Sequence, residues 1–208
     1  VPGAVDAWDT LLRDHGSIDL DQALQPAIGY AEDGWAVTPR VATDWERNVA
    51  KLSVDASSAA KYLANGQAPK AGETWRLPEL AETLRTIARE GRSGFYEGWV
   101  AEDIVQHLSG LGGCHALDDL AEMRGEYVTP ISTDYRGHTM FQIPPNGQGI
   151  TALMMLNILA DYDLASLDPN GVARLHLETE ASRLAYAARD RYVADQRQAD
   201  VPVAHMLS

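Results

Sequence analysis

Apolar residues recur at helical spacing along nearly all of this 208-residue chain, and one segment alone, residues 127–143, departs from that period. A period near 3.6 demands helices with one buried face, and a single change of period leaves room for one small sheet. Val5, Trp8, Leu11 and Leu12 predict a helix closed by Gly16. A second is predicted from Asp21 to about Glu32, with Leu24, Ile28 and Ala31 inward, Pro26 within its first turn and Gly34 as its stop. Thr38-Pro39 opens a helix towards Leu52 whose buried stripe is Trp45, Val49 and Leu52, and Ser57 to Ala64 gives another, ended by Asn65-Gly66. Residues 67–74 read as loop. Leu80, Leu84 and Ile87 mark a helix that Gly91 ends, Phe95 to Leu108 marks another, and Asp118-Asp119 caps a short one through Met123.

Between Tyr127 and Ile143, β-branched and aromatic residues gather around Asp134-Tyr135-Arg136-Gly137, which predicts a two-stranded hairpin. Pro144-Pro145-Asn146-Gly147-Gln148-Gly149 breaks the second strand. A very apolar helix follows from Ile150 to Tyr162, and a long one rich in alanine, leucine and charge pairs from about Val172 to Val193. The sequence thus predicts a mainly α fold with one β-hairpin, with no repeat and no interdomain linker, as a single helical region over residues 1–208.

Charge narrows the partners. Seventeen basic against 30 acidic residues give a net charge of −13, which repels nucleic acid and anionic membranes alike. No apolar run approaches the roughly 18 residues of a membrane span. The lone Cys114 forms no internal disulfide and has no second cysteine at zinc-ligand spacing; the compartment stays open, leaning towards a reducing, cytoplasmic one. The chain begins Val1-Pro2-Gly3 and stops at Met206-Leu207-Ser208, neither a natural boundary, so a piece of something longer is expected.

The most distinctive local pattern is the passage from the hairpin through Pro145, Asn146, Gly147, Gln148 and Gly149 into an apolar helix. Glycines ahead of a helix leave amide hydrogens and the positive end of its dipole exposed, a place for a carboxylate or oxyanion. A tight strand-to-helix connection explains the glycines equally, and on the residues alone is the better reading. His176 and Glu180 share a helix face at metal-pair spacing, but without further ligands they read as surface or packing residues. Arg183, Arg189 and Arg191 could grip a substrate carboxylate, yet Glu178, Glu180 and Asp190 stand ready as internal partners. Cys114 beside His115 lacks an orienting carboxylate, Ser93, Ser109 and Ser132 lack a nucleophile elbow, and Trp8, Trp35, Trp45, Trp75 and Trp99 read as core. No metal or cofactor is expected.

A series of segments in order resembles the γ-glutamyltransferase (γ-glutamyl transpeptidase) family over nearly the whole chain. They run from Val1-Pro2-Gly3-Ala4-Val5 and Leu24-Gln25-Pro26-Ala27-Ile28 through Ala31-Glu32-Asp33-Gly34, Leu80-Ala81-Glu82-Thr83-Leu84 and Phe95-Tyr96-Glu97-Gly98. Asp118-Asp119-Leu120-Ala121, Tyr135-Arg136-Gly137, Pro144-Pro145, Leu156-Asn157-Ile158-Leu159 and Ala188-Arg189-Asp190-Arg191-Tyr192 follow. The resemblance implies an N-terminal-nucleophile hydrolase of αββα architecture, of which this chain is the helical part of the large subunit. It implies a self-cleaving precursor whose freed N-terminal threonine, in a small subunit outside this chain, is the nucleophile. The transpeptidases' substrate-binding arginine is likewise implied to lie upstream. Asn146-Gly147-Gln148-Gly149, standing where transpeptidases carry a third proline and paired serines, resembles the acylase or amidohydrolase-like branch. That implies hydrolysis of, or acyl transfer from, a small amide or γ-glutamyl substrate, with Pro145 to Gly149 as the chain's one contribution to the pocket. The small-subunit half of the precursor is the implied partner, and a homo-oligomer is open. A non-catalytic helical binding or scaffold module of the same ancestry is the alternative.

Overall fold

Aspartate caps at Asp19 and Asp55 and positive-φ glycines at Gly34 and Gly91 set some of the helix ends of residues 1–125, the first of two compact units into which the chain divides; residues 126–208 form the second. The computed structural model describes all 208 residues and is 58% helical, with strands only in two antiparallel pairs, so the mainly α class holds.

In the first unit, α1 (Ala4–His15) is followed by α2 (Leu20–Asp33), whose cap Asp19 accepts the amide of Gln22 at 2.8 Å. Pro26 lies inside α2, beyond the first turn where the sequence placed it. A proline there removes one helical hydrogen bond. Burial of Leu24, Ile28 and Ala31 around it offsets the loss, at roughly 1.5–3 kcal/mol for each large side chain. Thr38 caps α3 (Pro39–Arg47), but the expected single helix to Leu52 is interrupted at Asn48, whose side-chain amide donates to the Asp44 carbonyl at 2.7 Å. That side chain competes with the helical ladder, and α4 (Val49–Leu52) restarts after it. Trp45, Val49 and Leu52 are half-buried, so the predicted stripe is only partly covered. Asp55 caps α5 (Ala56–Tyr62) by accepting the Ser58 amide at 2.7 Å.

The segment read as loop ends in a short pairing, β1 (Trp35–Ala36) with β2 (Thr74–Trp75), in which Trp35 faces Trp75. Gly34 makes it possible: its φ is +93°, and a Cβ there would meet the Trp75 carbonyl at 2.7 Å. After α6 (Pro78–Glu90), the single helix expected from Phe95 to Leu108 is two, α7 (Ser93–Tyr96) and α8 (Gly98–Gly110). Gly98, at φ +65°, turns the backbone between them. In α9 (Leu117–Ala121) the Asp119 carboxylate accepts the Ala116 amide at 2.8 Å. Val5, Leu24, Ile28, Ala31, Ala81, Ile87, Tyr96, Ala101 and Leu120 close one core. Trp8 and Trp99 are exposed, contrary to the core expectation, while Trp45 packs edge-on against Trp75 with centroids 5.2 Å apart.

The second unit opens with the hairpin of β3 (Ile131–Tyr135) and β4 (His138–Gln142), in register Ser132 with Phe141 and Tyr135 with His138. Arg136 at φ +51° and Gly137 at φ +82° supply the two left-handed residues that a two-residue hairpin turn needs. Beyond it lie α10 (Gly149–Ala160), a 3₁₀ turn at Leu164–Ser166, α11 (Val172–Tyr192) and α12 (Val203–Met206). Ile150 and Met154 of α10 pack with Ala185 of α11, Val201 and Met206, and Leu159 packs with Leu164 and Ala181. Alanines at 181 and 185 let the two helices approach closely. The faces of β3 alternate, with Ile131, Thr133 and Tyr135 half-buried, whereas β4 leaves Phe141 exposed.

Candidate functional site

The turn from Pro145 to Gly149 joins β4 to α10. Pro144 and Pro145 have no amide hydrogen to continue the ladder, which ends the strand at Gln142. Pro145 is buried, Asn146, Gly147 and Gln148 are exposed, and Gly149 is half-buried. Pro145 therefore anchors the turn, and the solvent-facing surface is that of the next three residues. The two glycines differ. A Cβ on Gly147 would meet only the Pro144 carbonyl, at 3.7 Å, whereas one on Gly149 would sit 2.6 Å from Gln142 Oε1 and 2.8 Å from Gln142 Cβ. Close packing accounts for Gly149, and open space surrounds Gly147. The Gln148 carbonyl accepts the Thr151 amide at 3.0 Å, which leaves the amides of Gly149 and Ile150, ahead of it in the first turn of α10, without an intrahelical acceptor. The Thr151 hydroxyl is buried without a partner.

One contact of this turn was not legible in the sequence. Arg189 of α11 donates through Nη1 to Gln148 Oε1 at 2.8 Å, while its Nε and Nη2 engage Asp190 Oδ1 at 2.8 and 2.5 Å. Its guanidinium also lies over the Tyr186 ring, 4.4 Å from the centroid. The internal pairing with Asp190 was expected; the reach to Gln148 bridges 41 residues and leaves no periodic trace.

The remaining candidates do not converge. Glu180 pairs with Arg183 at 2.7 Å, and that hydrogen bond, more than the nearby His176, holds its carboxyl below the usual glutamate range. No three His, Cys, Asp or Glu side chains are grouped to hold a metal ion. Arg191 lies over Tyr192. Cys114 is exposed in the coil after α8, and Ser93 is tied to the Glu90 carbonyl at 2.8 Å. An open cleft beside α3, lined by Pro39, Thr43, Glu46, Gln67 and Lys70 among others, holds no nucleophile paired with a base.

Two mostly helical units, the second with one hairpin and a glycine-bearing turn at the head of its most apolar helix, define a structural class that known proteins share. The family model for gamma-glutamyltranspeptidase matches residues 1–208. A glutathione hydrolase-like YwrD proenzyme of Bacillus subtilis is 39% identical over 207 residues, covering 100% of this chain and 39% of that protein. An oxamate amidohydrolase proenzyme of Klebsiella pneumoniae is 32% identical over 213 residues, covering 100% of this chain and 40% of its own length. Among solved structures, the cephalosporin acylase of Bacillus halodurans superposes with a TM-score of 0.90 at 37% identity, covering 100% of this chain and 40% of that one. The Helicobacter pylori γ-glutamyltranspeptidase gives 0.92 at 30% identity, covering 100% of this chain and 60% of that one. The chain belongs to the γ-glutamyltranspeptidase family, whose named members hydrolyse or transfer amide-linked groups. It spans about two fifths of the length of these curated relatives.

Proposed function

We propose that this chain is the helical large-subunit part of an amidase of the N-terminal-nucleophile type, made as a precursor that cleaves itself. The nucleophilic threonine, in this reading, belongs to a small subunit outside these residues. Its own α-amino group, with a pKa near 8, serves as base. The observation that carries the reading is the family match over the whole chain, joined to relatives named as proenzymes and roughly two and a half times as long. Within the chain, Asn146, Gly147 and Gln148 form one wall of the substrate pocket, with Pro145 and Gly149 as its anchors. The first amides of α10 and the positive end of its dipole suit an acyl oxygen or a carboxylate. Gln148 and Gly147 in this turn favour hydrolysis of a small amide over γ-glutamyl transfer.

The test compares this 208-residue chain with a precursor of its relatives' length, assayed on oxamate, γ-glutamyl-p-nitroanilide and a glutaryl amide. Self-cleavage and turnover in the precursor, with none in the shorter chain, is the expected result. Saturable hydrolysis by the 208 residues alone would overturn the proposal.

A further inference from the structure

Arg189 stands between two helix ends of opposite sign: it lies in the last turn of α11, where the dipole favours a cation, and it reaches the N-terminus of α10, where the dipole opposes one. Three contacts hold it there. Asp190 takes two hydrogen bonds, the Tyr186 ring lies 4.4 Å beneath the guanidinium, and Gln148 Oε1 accepts from Nη1 at 2.8 Å. Only a quarter of the Arg189 side chain is exposed, so the planar fork is fixed by its surroundings. Two of these anchors belong to α11 itself, and the third is the residue that caps α10. Gln148 has no other side-chain partner in the structure. At the far end of the turn, Gly149 is pressed against Gln142 of β4.

We infer that Arg189 is a positioning residue for the pocket wall: through Gln148 it clamps the exposed end of the turn to α11 and fixes the direction of its amides towards the acyl group of the substrate. The inference rests on the reading of Asn146–Gln148 as a pocket wall. At Gly147 little else restrains the turn, since an added Cβ would meet only the Pro144 carbonyl, at 3.7 Å. With the clamp, the amides are set before substrate arrives, and misplacement of such a donor costs binding and rate without unfolding anything.

The experiment uses the precursor with Arg189→Met, Arg189→Lys, Gln148→Met, the Met/Met double variant and Gly147→Ala; Arg183→Met, a surface partner of Glu180, is the control. KM, kcat and Tm are measured on whichever amide the precursor hydrolyses. Arg189→Met and Gln148→Met should each raise KM by on the order of tenfold at nearly unchanged Tm. The double variant should be no worse than either single, and Arg189→Lys should recover part of the loss. Multiplying effects, or losses that follow Tm, overturn the clamp. A KM that responds to Gly147→Ala but not to Arg189→Met overturns this inference alone; one that ignores both overturns the pocket-wall reading and this inference with it. Independently of turnover, amide hydrogen exchange at residues 147–150 of the 208-residue chain should quicken in Arg189→Met, and unchanged exchange also overturns it.

Discussion

The carboxylate of Asp6, only 4% exposed, accepts a hydrogen bond from Arg92 Nε at 2.8 Å, joining α1 to the residue ahead of α7. Both ions are otherwise satisfied. Asp6 Oδ2 accepts the Gly125 amide at 2.6 Å, and Arg92 Nη2 donates to the carbonyls of Ala121 and Met123 at 3.0 and 2.6 Å. The guanidinium lies over the Tyr96 ring, whose hydroxyl donates to the Pro2 carbonyl at 2.7 Å and accepts the Asp6 amide at 3.3 Å. One ion pair thereby ties down the segment leaving α9 and the start of the chain. A buried pair adds little net stability, because desolvation opposes the attraction, but removing Arg92 strands a buried carboxylate and removing Asp6 leaves Arg92 only the largely exposed Glu97, 3.4 Å from Nη1, as a charged partner.

Asp6→Ala should therefore destabilise the first unit by about 3–5 kcal/mol. Asp6→Ala combined with Arg92→Met should cost clearly less than the two single losses added, since no charge is then left unpaired. Urea denaturation of the three variants decides it. Additive losses would mean that the two side chains act separately.

Burial pushes the Tyr96 hydroxyl above its ordinary value of 10, the nearby Asp6 charge adding to the rise and Arg92 opposing it. Above pH 10 the unfolded chain therefore gives up this proton while the folded chain keeps it, and stability falls as pH rises through that window. Tyr96→Phe should cost about 1–2 kcal/mol at neutral pH through its lost hydrogen bonds, yet show a shallower alkaline decline. Parallel decline in the two proteins, followed by thermal melts from pH 8 to 11, would remove Tyr96 as its source.

The hairpin was legible because two signals agree, a change of period after Tyr127 and the left-handed turn chemistry of Arg136-Gly137. The helix start at Thr38 was legible because a capping side chain acts on its own next few residues; Asp118-Asp119 marked the start of α9 only approximately, since the helix begins at Leu117 and Asp119, inside its first turn, accepts the amide of Ala116 behind it. The breaks at Asn48 and Gly98 were hidden, since the apolar spacing runs on across them. Pairing of β1 with β2 was hidden too, two residues on each side being too few to show alternation. At the site, adjacency made the turn visible, while the Arg189 to Gln148 contact depends on how α11 packs beside α10. No shift in composition at residue 125 announces the division into two units.

Asp19 gives a simple test of the capping argument. Its carboxylate accepts the Gln22 amide at 2.8 Å at the head of α2, and Asp19→Ala should cost about 1 kcal/mol in thermal denaturation. Asp19→Asn should retain most of that stability, as its amide oxygen accepts the same bond. Equal losses in both variants would show that charge at the dipole, and the cap bond hardly at all, stabilises this end.

Gly147 and Gly149 separate packing from function at the turn, because they stand two residues apart in opposite surroundings. Alanine at 149 puts its methyl group 2.8 Å from Gln142 Cβ, so β4 or α10 must shift, at a cost of about 1–3 kcal/mol. Alanine at 147 meets open space and should leave the melting temperature within about a degree of the parent, a surface change well inside 0.5 kcal/mol. If the turn faces substrate, Gly147→Ala should still lower turnover in the precursor, the added methyl group standing where the acyl group approaches. A Gly147→Ala precursor with full activity, together with an Arg189→Met precursor of unchanged KM, would make Pro145 to Gly149 a structural connection and nothing more, whatever Gly149→Ala does.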